Sequence, residues 1–348
     1  MISCESKIAT PCRPDLVVSK EPAIFVKENP AAMKRILLPL CLLLAACSQG
    51  SHPSTPTLKA VIEVAGRQGV ACDGKYYYVS GSTALYKYSL DGELLLSNED
   101  PFRDITEGSP APNHIGDIDV FEGEIYAGCE YFMDGQGQNI QTAVYDAQTL
   151  QYKRSITWEP ASGQVECCGL AVDRSRGLVW MADWVDGSHL YCYDKANGDY
   201  LGKIALSPAP GLQQGIFCLD DGRILISSDD GDAEKEEADH LYVCFPYKEG
   251  ASLKEEADVT TFLTTDSFRR AGEIEGLCVN PATGELVVLS NRGARIILGM
   301  PKGFYEGYDH EIHELYVFSR REDHSKVPGT AARSVFFLGS KGYFRRIL

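Results

Sequence analysis

Carboxylates stand beside glycines at several points of the chain, and that placement is where chemistry could reside. Glu273 and Glu275 precede Gly276, Glu166 stands three residues before Gly169, and Asp117 and Asp119 follow Gly116. Glu130, Asp183-Trp184, Asp229-Asp230 and Asn291-Arg292 each follow a short apolar run, and Gln68, His114, Gln213 and Gln214 sit just ahead of other glycines. Carboxylates in pairs can ligate a divalent ion, move protons as general acid and base, or flank a glycosidic bond. No Gly-x-Ser-x-Gly elbow and no phosphate-binding glycine loop occurs, so neither of those chemistries is indicated. The run Asp229-Asp230-Gly231-Asp232 lacks the spaced ligands and terminal Glu of an EF-hand and reads as a solvated charge run.

The elements that position these residues repeat. A glycine followed by a short apolar run recurs at Gly69, Gly116, Gly169, Gly215 and Gly276, at separations of 47, 53, 46 and 61 residues. Each copy continues through a turn (Asp73-Gly74, Glu122-Gly123, Asp221-Gly222, or Asn280 to Gly284), then a second β-rich run, then a Leu-Tyr strand such as 85–88, 190–193 or 315–316. Gly and Asn accept positive φ and Pro fixes φ, so these are turn residues. A further apolar run follows in several copies, for example 92–96, 150–158, 200–206 and 259–263. Four antiparallel strands every ~50 residues, repeated, predict an all-β fold, a β-propeller of four-stranded antiparallel blades. Five blades are expected, with six as the alternative. Residues 58–64 read as an unpaired outer strand that closes the ring, unless 333–338 supplies that strand and 58–64 joins a degenerate sixth blade.

On the motifs Glu273-Ile-Glu275-Gly276-Leu and Asn280-Pro-Ala-Thr-Gly284-Glu-Leu, the chain resembles secreted propellers of the NHL and SdiA-regulated type over residues 58–320. The resemblance implies the fold and leaves the function open, since propellers host binders and enzymes alike.

Residues 33–47 have a basic start (Lys34, Arg35), an apolar stretch and the ending Leu-Ala-Ala-Cys47, the layout of a secretory signal. The ending resembles a bacterial lipobox, which implies lipidation of Cys47. Residues 1–32 are expected to be a mis-annotated or disordered leader, 48–57 a Ser/Pro/Thr-rich tether, and 58–348 a single propeller domain. Without residues 1–47, which hold six basic and four acidic residues, the chain keeps 27 basic and 45 acidic residues, a net charge of −18. That charge repels phosphate backbones and anionic lipid heads. Nucleic acid is therefore not an expected partner, and membrane contact is expected through the lipid alone. Export and anchoring at the bacterial outer membrane, as a monomer, are the expected placement.

Eight of the twelve cysteines follow Cys47. Cys72, Cys218 and Cys278 sit at near-equivalent repeat positions, as do Cys192 and Cys244, which favours core thiols over disulfides. His189, His240 and His313 each precede a Leu-Tyr strand, too far from the axis to share an ion, and an intra-blade hydrogen bond is expected for them.

In antiparallel sheets the first strand begins where the second ends. Gln68, His114, Glu166, Gln213, Gln214, Glu273 and Glu275 are therefore expected to converge with Glu130, Asp183, Trp184, Asp229, Asp230, Asn291 and Arg292 at one polar mouth, with Asp117 and Asp119 just inside. The expected function is binding of a cell-envelope protein, peptide or glycan there, with no cofactor. The alternative is a metal-dependent hydrolase or lactonase, with a divalent cation such as calcium on Glu166, Asp183, Asp229 and Asn291 and with Glu275 as base.

Overall fold

Short β-branched and aromatic runs broken by Asp-Gly and Asn-Pro turns leave the backbone few choices besides short antiparallel strands. The computed structural model describes residues 56–319 except 134, 185–186, 250–251, 267–270 and 298–299. Residues 1–55, with the signal-like segment and Cys47, and residues 333–338 lie outside the described residues.

The chain opens with β1 (Leu58–Val64) and then lays down β2 (Gly69–Cys72), β3 (Tyr76–Gly81), β4 (Ala84–Ser89) and β5 (Leu94–Asn98) as one antiparallel sheet. β6 (His114–Phe121), β7 (Glu124–Met133), β8 (Gln136–Asp146) and β9 (Tyr152–Thr157) form the next. β10 (Gly169–Asp173), β11 (Leu178–Ala182), β12 (His189–Asp194) and β13 (Tyr200–Ser207) follow, then β14 (Gln213–Cys218), β15 (Ile224–Ser228), β16 (His240–Cys244) and β17 (Glu256–Thr264). These two sets join edge to edge, because β13 and β17 pair in parallel over three residues, Ala205 to Ser207 with Glu256 to Asp258. In the last set, β18 (Ile274–Val279) and β19 (Leu286–Arg292) are followed by a hairpin of β20 (Ala294–Ile297) and β21 (Met300–Phe304), where the sequence suggested only a long loop. β22 (Ile312–Phe318) then returns to pair with β19, and β1 adds outside it, Val61 opposite Tyr316 and Val64 opposite His313. The first strand of the fold thus completes its last sheet.

The result is a β-propeller-like, all-β assembly of repeated four-stranded antiparallel sheets. The innermost strands touch in a closed cycle: β2 against β6, β6 against β10, β10 against β14, β14 against β18, and β18 against β2. Sheets packed face to face bury both sides of their inner strands. This is why Val70-Ala71-Cys72 and Leu170-Ala171-Val172 are apolar without alternation. The eight cysteines of the described residues are free and buried among these runs, as small hydrophobes.

At the centre the strands approach so closely that side chains cannot fit. A Cβ on Gly276 would stand 2.7 Å from the Gly69 Cα, and one on Gly215 would stand 2.6 Å from the Gly276 Cα. Into this waist projects Asp117. Its Oδ2 accepts from Ile216 N at 3.0 Å and Leu170 N at 3.5 Å, and its Oδ1 from Ile118 N at 2.9 Å. Neighbouring sheets are also stitched directly, by Gly276 N to Gln68 O and Asp117 N to Cys168 O, and by the hydroxyls of Ser80 and Ser227 to Gly116 O and Glu275 O. Gly276→Ala is expected to destabilise the fold by about 3 kcal/mol through overpacking. Gly211→Ala, which meets open space, should stay within about 0.5 kcal/mol of the parent. Urea unfolding of the two variants checks this, and equal midpoints would mean the waist can dilate.

Candidate functional site

The ends of the inner strands that precede the central glycines open onto one mouth, and its side chains divide into two groups. The first lies where the β6–β9 sheet meets the β10–β13 sheet. His114 opens β6, and Glu130 stands opposite it on β7. Glu166 lies just before β10 and Asp183 just after β11. His114 Nδ1 is 3.2 Å from Glu130 Oε1, while Cys167 N, from the neighbouring sheet, donates to Glu130 Oε2 at 2.9 Å. Glu166 Oε2 accepts from Cys168 N at 2.9 Å and Trp184 N at 2.8 Å. Asp183 Oδ1 accepts from Val165 N and Glu166 N, and Tyr191 donates its hydroxyl to Asp183 Oδ2 at 2.8 Å. Phe132 lies on the His114 ring, centroids 5.4 Å apart, and meets Trp184 edge-on at 6.5 Å.

This group is buried, and burial decides its protonation. It pushes the Glu130 carboxyl up to about 8. Glu166 is held well above the usual range by burial and then by the charge of Glu130. Burial also lowers the His114 imidazole, which is therefore neutral at pH 7. Two adjacent buried carboxyls cannot both ionise without a counter-charge, so the pair holds a proton between them.

The second group lies on the β18–β19–β22 sheet. Asn291 Nδ2 donates to Glu275 Oε1 at 2.5 Å and to Arg67 O at 3.1 Å, and its Oδ1 is 2.8 Å from His313 Nδ1. Burial drops the His313 imidazole to about 4, so that ring donates as a neutral group. Arg67 Nη2 pairs with Glu273 at 3.2 Å and with Glu311 at 3.4 Å. After burial, the Arg67 charge also lowers both His114 and His313. Asp229 Oδ1 accepts from Ile274 N at 3.4 Å. Beside this group, an open crevice of about 810 Å³ runs between residues 233–236 and Tyr305, Glu306 and Tyr308.

The remaining expected residues are each held by other partners. Asp117 lies below the mouth, spent on backbone amides in the waist, and Asp119 sits further down, paired with Arg174 at 2.5 Å. Arg292 grips Glu314 with two hydrogen bonds of 2.6 Å, clamping β19 to β22, and lines the crevice beside the second group. Asp230 is tied back to β16, accepting from His240 N and the Tyr242 hydroxyl. Gln213 is held by Gln213 N to Trp184 O and Gln213 Nε2 to Gly187 O. Gln68 supplies a carbonyl to Gly276 N, and Gln214 is half-buried on β14. The ligand set Glu166, Asp183, Asp229 and Asn291 is not brought together, since the first two belong to one group and the last two to the other. Of the three pre-strand histidines, His240 and His313 bond within their own sheets, to Asp230 and Asn291, while His189 bonds the adjacent Ser188.

Phe132 and Arg67 were not anticipated. Phe132 has a signal in the unusual length of β7, ten residues where the equivalent β3, β11 and β15 have five or six. Arg67 has one in its charge, a cation directly beside Gln68 and close in sequence to a central glycine.

Burial holds the Glu275 carboxyl well above the ordinary value, with the Glu273 charge adding to it. A folded-state pKa raised in this way contributes stability below the unfolded carboxyl pKa and loses it as pH rises through the raised value. Glu275→Gln keeps the shape of the neutral carboxyl. It is expected to lessen the fall in stability between about pH 5 and about pH 8, measured by urea unfolding at both. An unchanged fall would show that Glu275 does not titrate in this window.

No protein-family model matches the chain. No curated protein matches it in sequence. Among solved structures, glutaminyl cyclase from Myxococcus xanthus is similar at 12% identity and a TM-score of 0.45, covering 76% of this chain and 99% of that one. The U3-55K structure is similar at 10% identity and the same TM-score, covering 75% and 99%.

Proposed function

We propose that this chain is a five-bladed propeller, lipid-anchored through Cys47 in the cell envelope at the outer membrane, and that its mouth binds a protein, peptide or glycan ligand. The closed cycle of inner strands and the completion of the last sheet by β1 support the blade number. The signal-like segment supports the anchor, and the charge of −18 beyond it supports lipid-only contact with the membrane.

One observation carries the binding reading. Among the described residues, Trp184 Nε1, Gln213 Oε1 and Arg67 Nε are buried side-chain atoms without a hydrogen-bond partner, and all three belong to residues at the mouth. Each unpaired buried polar atom costs about 1–3 kcal/mol. A ligand offering both donors and acceptors, as amides and sugar hydroxyls do, would remove that cost. The carboxylates and the Phe132–Trp184 wall add hydrogen bonding and an apolar face, the usual composition of a selective site.

Calorimetric titration with fractionated envelope glycans and peptides tests this. Trp184→Phe and Gln213→Ala should each weaken binding by about 1–3 kcal/mol, or 5- to 150-fold, and Asp183→Ala and Glu275→Ala should weaken it as well. Undiminished binding by all four variants would place the site elsewhere on the protein.

A further inference from the structure

We infer that His114, Glu130 and Glu166 form a binding site for a divalent transition-metal ion of the zinc class. Each residue offers a ligand atom, one ring nitrogen and one oxygen from each carboxylate, and these atoms lie within 4.8 Å of one another. Atoms on one ion at ~2.1 Å stand at most about 4.2 Å apart, so the more widely spaced ligand atoms draw together as the ion binds. The oxygens are already sorted. The amides of Cys167, Cys168 and Trp184 all bond Oε2 atoms, orienting the two carboxylates from behind. Among the described residues no lysine or arginine pairs with Glu130 or Glu166, so these buried carboxylates lack the counter-charge that an ion would bring. The mixed nitrogen and oxygen set suits zinc better than calcium, which takes oxygen ligands in larger number.

A second observation points to an occupant. Trp184 is 9% exposed, and its Nε1 has no partner among the described residues. The residue is held against the cluster, its amide on Glu166 and its ring edge on Phe132, which lies on His114. Three protein ligands leave a fourth position open, where a water or a ligand oxygen would complete the shell. His114 is partly exposed at the mouth and provides the way in. What fills the open position rests on the ligand-binding reading of the mouth, whereas occupancy by the ion does not.

The test is titration of the EDTA-dialysed chain with zinc chloride, by calorimetry and by metal analysis after gel filtration. One ion per chain is expected. His114→Ala and Glu166→Gln should weaken binding at least about ten-fold, while Asp309→Asn, which alters an exposed acid beside His310, should not. Because Glu166→Gln keeps the shape of the neutral carboxyl, its fold is expected to persist, and zinc should raise the Tm of the parent but not of this variant. Sub-stoichiometric zinc, or parental affinity retained in both His114→Ala and Glu166→Gln, overturns the inference. Titration of the metal-free chain with the envelope fractions runs in parallel. Ligand bound without zinc binding defeats only the metal site, and zinc bound without ligand defeats only the reading of the mouth.

Discussion

The structure depends on one close approach. Inner strands from neighbouring sheets meet at Gly69, Gly215 and Gly276 with no room for a Cβ, and the Asp117 carboxylate fills what space is left. It accepts amides from β6, β10 and β14, so one side chain ties three inner strands. Burial holds that carboxyl well above its usual range despite the three donors. A polar group so placed is costly unless bonded, and here every bond runs to backbone. The acid that looked from its position like an inner ligand is thereby a part of the frame.

Everything at the mouth follows from that waist. Strands that converge at glycine bring the residues before the glycine to within side-chain reach of the next sheet. This is how Cys167 N comes to hold Glu130, and how Asn291 reaches Arg67 O across from the last sheet to the first. The same convergence excludes water from carboxylates that would otherwise be solvated, and desolvation rather than any single neighbour raises Glu130, Glu166 and Glu275.

Departures from the repeat are where individuality enters. The β7–β8 hairpin runs past Glu130 and places Gly137 over that carboxylate, where a Cβ would collide with it. The β20–β21 hairpin interrupts the last sheet and leaves Ile297, Met300 and Phe304 exposed. Neither extension is needed to close the fold, since the sheets pair without them. Both rise at the mouth, as variable segments on a repeated scaffold do.

Much of the frame was legible in the sequence, because it is encoded locally and repeated. The glycine spacing, the Asp-Gly and Asn-Pro turns and the apolar runs depend on φ preference and strand propensity, which neighbouring residues decide. Residues 58–64 were recognisable as an outer strand for the same reason. The convergence of His114, Glu130, Glu166 and Asp183, and separately of Glu275 with Asn291, also followed from antiparallel geometry. The division into two groups did not, nor did the diversion of Asp117 into the waist, of Arg292 to Glu314 or of Asp230 to β16. Those outcomes depend on how far each side chain stands from the axis and which sheet it faces. Distances across sheets come from the packing of strands remote in sequence, so only the tertiary structure could set them.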